Sequence, residues 1–597
     1  MIILGISDSH ESHACLIIDG QLIAAIAEER LSRLKAEMGY PKRAIEAVLE
    51  ICNVKPSEID IVAFAGNSGF IFQAVGNYKA VFTVKDYIDQ NYKYWKPKLC
   101  EGKELTLLDD FNMFKHLNSD LENNHYYPFM NKFNNSNQKD WNTIGQKIRR
   151  DTVINHIGIS QEKVKFYRHE DCHKAWGIYS FQGERSNSLV LTLEGGGDDS
   201  SATLSTSDLS GNFLEHWKSN EVMVGRLYRY ITLLLGMKPD MHEYKVMGLA
   251  PYGNEYHGRK SYEFFKKINI VDKEKIINTK AIKDLYFSSR DALEGERFDG
   301  IAWGLQTYLE DLLQEWVINS INKFKLENVI FSGGVAQNIK ACKKLLELPC
   351  VKSFWSGPIS GDGSLALGAA FLGCKENDTF EIKKVNTIYL GKEYSEEKVK
   401  KEILDKRVLE KGFQVKEKIS NKQIASWLSE GKVISRFAGK MEFGQRALGN
   451  RSIIADPRYL STIDHINRKI KRRDFWMPFT PSMMESEAKK ILNNPKDIYS
   501  PFMTMAFDIK NKYENKLQAV IHPTDKSIRP QMLRKEDNPD YYGILEEFKK
   551  KTDLGVLLNT SFNLHGEPIV ESPEDAINTF ENSELDVLLF KDIALIR

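Results

Sequence analysis

The sequence predicts an α/β protein with a duplicated N-terminal part, on three observations. Glycine-rich turns recur where a strand should end or a helix begin: Leu193-Glu194-Gly195-Gly196-Gly197-Asp198, Phe331-Ser332-Gly333-Gly334-Val335 and Ser360-Gly361-Asp362-Gly363-Ser364. A strand–turn–strand opening at residue 2 has a counterpart near residue 188. Helical stretches separate the turns, as alternating α/β units require.

Taken in order, Ile2 to Ser7 and Ala14 to Ile18 read as strands, Asp19-Gly20 as a hairpin turn, and Leu22 to Glu28 as the returning strand. Lys42 to Ile51 has helical spacing. Ser188 to Leu193 is again an apolar strand, the Gly195–Asp199 loop follows, and Ser201 to Ser205 begins another strand. Two such halves with nucleotide between them make up actin- and hexokinase-like folds. Between the halves, Asn77 to Asn142 is rich in Asn, Lys and aromatic residues with few periodic segments. The expectation there is a variable peripheral insertion (77–142) of short helices, with a substrate-facing lid as the alternative. The charged connection from Val385 to Glu402 marks a boundary, giving domains 1–385 and 386–597. Beyond it, Gln423 to Leu428 reads as helix and Lys432 to Phe437 as strand.

A chain of 597 residues has length for at least two cores, and its formal net charge of +1 gives no global footprint for nucleic acid or an anionic membrane. The seven cysteines contain no C-x-x-C pair, which suits a reducing compartment. The opening Met-Ile-Ile-Leu-Gly lacks a charged leader region, and no apolar run reaches the roughly 18–20 residues that span a bilayer. The expectation is a soluble, cytoplasmic protein without membrane contact.

The chemistry starts from the glycines. Backbone approaches a phosphate closely where no Cβ intervenes, and helix N-termini favour anions, so three such turns in order suggest a nucleotide site. His169-Glu170-Asp171-Cys172-His173 matches H-E-x-x-H, which on a helix sets two imidazoles on one face. A zinc protease would also need a third ligand and a substrate cleft, and it leaves the glycine turns unexplained. In a duplicated fold Asp362 faces the same cleft, so His169, His173 and Asp362 form an expected metal set, with Glu170 having no role. Iron(II) is the first expectation, with zinc and manganese as alternatives.

The chain resembles the NodU/CmcH-type O-carbamoyltransferases, a family that includes tobramycin carbamoyltransferase. The resemblance runs through Gly5-Ile6-Ser7, His10-Glu11-Ser12, Ala27-Glu28-Glu29-Arg30-Leu31-Ser32-Arg33, Glu243 to Gly253 and Ser332 to Asn338. Its densest blocks are Glu442-Phe443-Gly444-Gln445-Arg446-Ala447-Leu448-Gly449-Asn450-Arg451-Ser452, Asn559-Thr560-Ser561-Phe562-Asn563 and Gly566 to Val570. The resemblance implies an actin-like (ASKHA) N-terminal domain with a metal and a C-terminal YrdC-like α/β domain. It further implies that the latter makes carbamoyl adenylate from carbamoyl phosphate and ATP. The former then transfers the carbamoyl group to a hydroxyl of a small acceptor, such as a sugar, antibiotic or other natural product, and releases AMP.

On that basis Arg446, Arg451, Lys471 and Arg529 are expected to supply charge for two polyanions, with Arg472 and Arg473 beside them. Ser561 and Asn563 form the S-x-N signature, Asn559 stands in the same block, and Mg²⁺ is expected with ATP. Gly196, Gly333, Gly334 and Asn338 are expected to line AMP. His10 is the preferred general base, since imidazole titrates near operating pH; His13, where the family has alanine, competes for the role. Glu11 for the family's Asp, Gln445 for its proline, Trp476 before Met477-Pro478, and a His522 segment without its glycine are further departures. The alternatives are carbamoylation of a nucleotide or nucleic-acid acceptor, related to tRNA threonylcarbamoylation and served by the Tyr78–Lys98 segment, and an idle ATP-binding regulator. Near-neutral charge disfavours the first and the retained basic residues the second. A homodimer is the family-based expectation.

Overall fold

A computed structural model describes residues 1–67, 71–134, 136–183, 186–376, 381–471 and 474–597. They divide into two compact units, Met1–Asn386 and Thr387–Arg597.

In the first unit, β1 (Ile2–Ser7), β2 (His13–Ile18) and β3 (Gln21–Ala27) form an antiparallel meander. Asp19 and Gly20 both take positive φ, the geometry of a tight two-residue hairpin. The helix Lys42–Cys52 buries Ala44, Ile45, Val48 and Leu49, and the chain returns as β4 (Ile61–Ala65) and β5 (Val164–Tyr167), both running parallel to β1. The sheet order is β3-β2-β1-β4-β5.

The second half repeats this. β6 (Ser188–Leu193), β7 (Ala202–Ser207) and β8 (Phe213–Ser219) form the meander. A small hairpin, β9 (Asn269–Asp272) and β10 (Lys275–Asn278), lies in the long excursion before β11 (Asn328–Ser332) and β12 (Ser353–Trp355), which run parallel to β6. The order β12-β11-β6-β7-β8 is the same topology, and each third strand carries one extra residue against its neighbour, Ile23 in β3 and His216 in β8. The two openings read from the sequence are therefore halves of a structural duplication. Each half ends in a helix, His169–Tyr179 after β5 and Leu365–Lys375 after β12. The two helices touch at Gly368, where any Cβ would overlap the carbonyl oxygen of Cys172.

The segment 77–142 is made largely of short helices, and several of its aromatic residues are buried in cores while Tyr92 is exposed. Phe111, Tyr126 and Phe133 are buried with Phe72 and Ile148, and the Tyr126 hydroxyl donates to Asp8 Oδ2 at 2.8 Å. Asp8 is also gripped by Arg149, whose Nε donates to the same oxygen at 2.6 Å.

The second unit is built on a mixed sheet of eight strands. In chain order these are β13 (Gln414–Lys416), β14 (Ile434–Phe437), β15 (Arg451–Ala455), β16 (Thr480–Met484), β20 (Gln531–Leu533), β21 (Val556–Ser561), β22 (Val587–Phe590) and β23 (Ile593–Ile596). The short β17 (Leu492–Asn493), β18 (Phe507–Ile509) and β19 (Ser527–Ile528) form a separate three-stranded sheet. Helices Asn421–Ser429 and Pro539–Thr552 cover the large sheet, packing Ile424, Leu428, Ile544 and Phe548 on Ile434, Leu557 and Val587. Among the described residues no helix is long and apolar enough to cross a membrane.

Candidate metal and nucleotide site

The three glycine turns converge at the ends of the second half's strands. Gly333, at φ +91°, donates its N–H to Ser360 O at 2.8 Å, and a Cβ on it would stand 2.7 Å from Leu193 O. A Cβ on Gly361 would overlap the Gln337 side chain. At Gly333, where both the positive φ and the Leu193 backbone bar a side chain, glycine is what lets the turns come this close.

The helix His169–Tyr179 delivers His169 and His173 to the same place, with ring centroids 4.9 Å apart and both rings buried. Glu194, the first residue after β6, turns its carboxylate onto both: Oε2 lies 2.8 Å from His169 Nε2 and 3.1 Å from His173 Nε2. Asp362 completes the group, with Oδ1 at 3.7 and 3.5 Å from the same nitrogens. One ligand atom from each of the four lies within 4.8 Å of every other. Burial opposes charge on His169, but Glu194 and Asp362 outweigh it and raise its pKa well above the ordinary value; His173 is raised in the same way. Burial likewise opposes the Asp362 and Glu194 carboxylates, and the imidazoles outweigh it to hold both below their usual range. Glu194 Oε1 is buried without a hydrogen-bond partner. Two imidazole nitrogens and two carboxylates, one of them with an orphaned oxygen, are a donor set that suits a divalent first-row metal.

Glu194 is the member of the candidate metal cluster that the sequence reading did not include. The signal was an acidic residue directly ahead of three glycines at a strand end. Glu170, given no role, ties the loop to the helix: Oε1 accepts from the Ser200 N–H at 2.9 Å and the Asp199 N–H at 3.2 Å. Asp198 Oδ2 accepts the His169 N–H at 2.8 Å and so fixes the helix start.

The two candidate bases separate clearly. His13 Nε2 accepts the Ala366 N–H at 3.1 Å, which leaves Nδ1 as the donor to Glu11 O at 2.7 Å. Both nitrogens thus serve the backbone, and burial pushes the pKa down to about 4. His10 is half-buried; desolvation first, and then the Lys79 charge, lower its pKa, while Asp362 and Asp240 oppose them. Asn338 is engaged within the protein, capping the Ala341 N–H at 3.0 Å and donating to Gln306 Oε1 at 2.8 Å.

In the second unit, Lys471, Ser561 and Asn563 come together. The Lys471 ammonium lies among four oxygens: Ser561 O (2.5 Å) and Oγ (3.1 Å), and Asn563 O (3.0 Å) and Oδ1 (2.5 Å). Ser561 Oγ donates to Asn563 Oδ1 at 2.7 Å. Arg451 is fully buried, donating to the carbonyls of Ala438, Gly439, Asn450 and Lys392 at 3.0–3.2 Å. Burial pushes its pKa down to about 10, against the pull of Glu442 and Glu571. Asn559 is equally enclosed, with Nδ2 donating to Ser482 Oγ at 2.8 Å. Arg446 and Arg529 are half-buried on loops. Arg472 and Arg473 lie outside the described residues.

Comparison with known proteins adds the chemistry. Residues 2–371 match the family model described as carbamoyltransferase N-terminus, and residues 425–597 match carbamoyltransferase C-terminus. The chain is 31% identical to the Methanocaldococcus jannaschii protein MJ1051, over 98% of each chain. It is 28% identical to nodulation protein NolNO of Sinorhizobium fredii, covering 97% of this chain and 78% of that one. Nodulation protein NolO of Bradyrhizobium diazoefficiens is 30% identical, with 70% of this chain and 77% of NolO covered.

Proposed function

The chain belongs to the carbamoyltransferase family, and from that premise we propose an ATP-dependent O-carbamoyltransferase that works through carbamoyl adenylate in two steps. The buried His169–His173–Glu194–Asp362 cluster beside converging glycine turns carries this reading, because it pairs a metal donor set with a phosphate-accommodating backbone.

The first step belongs to the second unit, which we read as YrdC-like. Water opens carbamoyl phosphate to carbamate and phosphate; a carbamate oxygen then displaces pyrophosphate from the α-phosphorus of ATP, which arrives with Mg²⁺. Arg446 and Arg529 would bind the polyphosphate, and the Ser561–Asn563 turn, held by Lys471, would hold the small acyl end. Arg451 and Asn559 act by shaping the loops around them.

The second step belongs to the first unit, which we read as actin-like. Gly196, Gly333 and Gly334 would receive the adenylate, with Asn338 fixing the helix behind them. His169, His173, Glu194 and Asp362 would hold a divalent metal, and the chemistry it would supply there is Lewis-acid polarisation of a carbamoyl or phosphate oxygen. The acceptor hydroxyl attacks the carbamoyl carbon, the bond from that carbon to the AMP oxygen breaks, and the hydroxyl proton passes to His10. His10 suits this role because its lowered pKa keeps the ring neutral near pH 7, while both nitrogens of His13 are committed. The acceptor is read as a small hydroxylated molecule.

The test is a separation of steps. His169→Ala should lose metal and carbamoyl transfer but retain AMP and pyrophosphate formation dependent on carbamoyl phosphate, whereas Ser561→Ala or Arg529→Ala should lose adenylate formation. Retained metal and transfer in His169→Ala would refute the cluster's role.

A further inference from the structure

The helix Val224–Leu234 carries two arginines three residues apart, and their surroundings differ. Arg229 is paired with a carboxylate: its Nε stands 2.9 Å from Asp240 Oδ1. Arg226 makes no ion pair with a carboxylate among the described residues; burial, and then the Arg229 charge, lower its pKa, while Tyr230 opposes them. Its Nε donates to Gly195 O at 2.6 Å; the residue as a whole is exposed, while its guanidinium is desolvated enough to lower its pKa.

That hydrogen bond lays the guanidinium across the turn that follows Glu194. A Cβ on Gly196 would stand 3.0 Å from Arg226 Nη2, so glycine at 196 makes room for the arginine as well as for a ligand. The approach is fixed from behind too, since a Cβ on Gly225 would stand 2.6 Å from the Gly195 nitrogen. A guanidinium anchored by Nε keeps its two terminal nitrogens in one plane, ready for two oxygens of a single anion.

We propose that Arg226 is a phosphate-binding residue of the first unit, clamping the nucleotide monophosphate that the Gly195–Gly196 turn receives next to Glu194. The assignment rests on the nucleotide reading above and extends it to a residue outside the glycine turns and the metal ligands. Arg226 acts on the phosphate, not the nucleoside, so it favours AMP over adenosine. It also places positive charge where the AMP leaving group develops negative charge.

The test uses the full chain loaded with Co²⁺, whose absorption reports only ligands that reach the His169–Glu194 cluster. Wild type should respond to AMP at far lower concentration than to adenosine. Arg226→Gln keeps a donor for Gly195 O but loses the charge; it should need roughly 10-fold more AMP, with the adenosine response and bound Co²⁺ unchanged, and Arg226→Lys should recover part of the loss. An unchanged AMP response in Arg226→Gln, or equal weakening for AMP and adenosine, overturns the assignment while leaving the nucleotide reading standing. A wild-type protein whose cobalt spectrum ignores AMP overturns both.

Discussion

Glu194 meets His169 across the duplication: the carboxylate follows the first strand of the second half, the imidazole opens the last helix of the first half, and they stand 2.8 Å apart. The donor set therefore exists only when both halves are folded against each other. A metal held by this cluster would therefore be linked to folding of the first unit, because a ligand that binds only the native state stabilises it.

Glu194→Gln should lower metal affinity by at least the roughly 10–100-fold that loss of an outer partner costs. Metal content after dialysis against a graded chelator measures this. Full retention of metal would leave the two histidines and Asp362 as the complete set.

Gly368→Ala should destabilise the first unit by about 1–3 kcal/mol, since the new methyl must push apart the helices bearing His173 and following Asp362. A lower Tm accompanied by weaker metal retention is the expected pair of results. A lower Tm with unaltered metal affinity would show that the cluster tolerates helix displacement.

His13 imposes a pH dependence on stability. Its folded pKa of about 4 lies below the ordinary 6.5, so the unfolded chain binds more protons between these values. Its contribution is complete above pH 6.5 and falls as pH drops towards 4, by up to about 3 kcal/mol. His13→Gln should be less stable at pH 7 but show a flatter decline between pH 6.5 and 4.5 in urea denaturation. Parallel slopes would contradict the assignment.

Arg451→Lys should cost about 3 kcal/mol in the second unit, because one ammonium cannot replace a guanidinium that serves four backbone carbonyls. Denaturation followed through the second unit measures it. A change below about 0.5 kcal/mol would mean that water takes over those carbonyls.

What was legible in the sequence was mostly local. Asp19-Gly20 announces its hairpin through backbone geometry, His169 and His173 share a face through helical spacing, and Gly197, Gly333 and Gly361 mark places where Cβ atoms would collide. What stayed hidden depends on distant segments meeting. Glu194 joins the candidate cluster only because β6 ends beside a helix that begins 25 residues earlier. Arg451 and Asn338 have the side chains expected of ligand-binding residues, and only their enclosed hydrogen bonds show that the protein itself uses them. The buried aromatic residues of 77–142 gave no periodic signal because they pack from short helices into two separate clusters.

The measurement that tests the account most directly is mass spectrometry of the full chain incubated with ATP, Mg²⁺ and carbamoyl phosphate in the absence of acceptor. Carbamoyl adenylate, or AMP and pyrophosphate that appear only when carbamoyl phosphate is present, is the predicted result, and Ser561→Ala should abolish it. Metal-replete protein that leaves ATP intact, or that cleaves it equally without carbamoyl phosphate, would contradict the adenylate route.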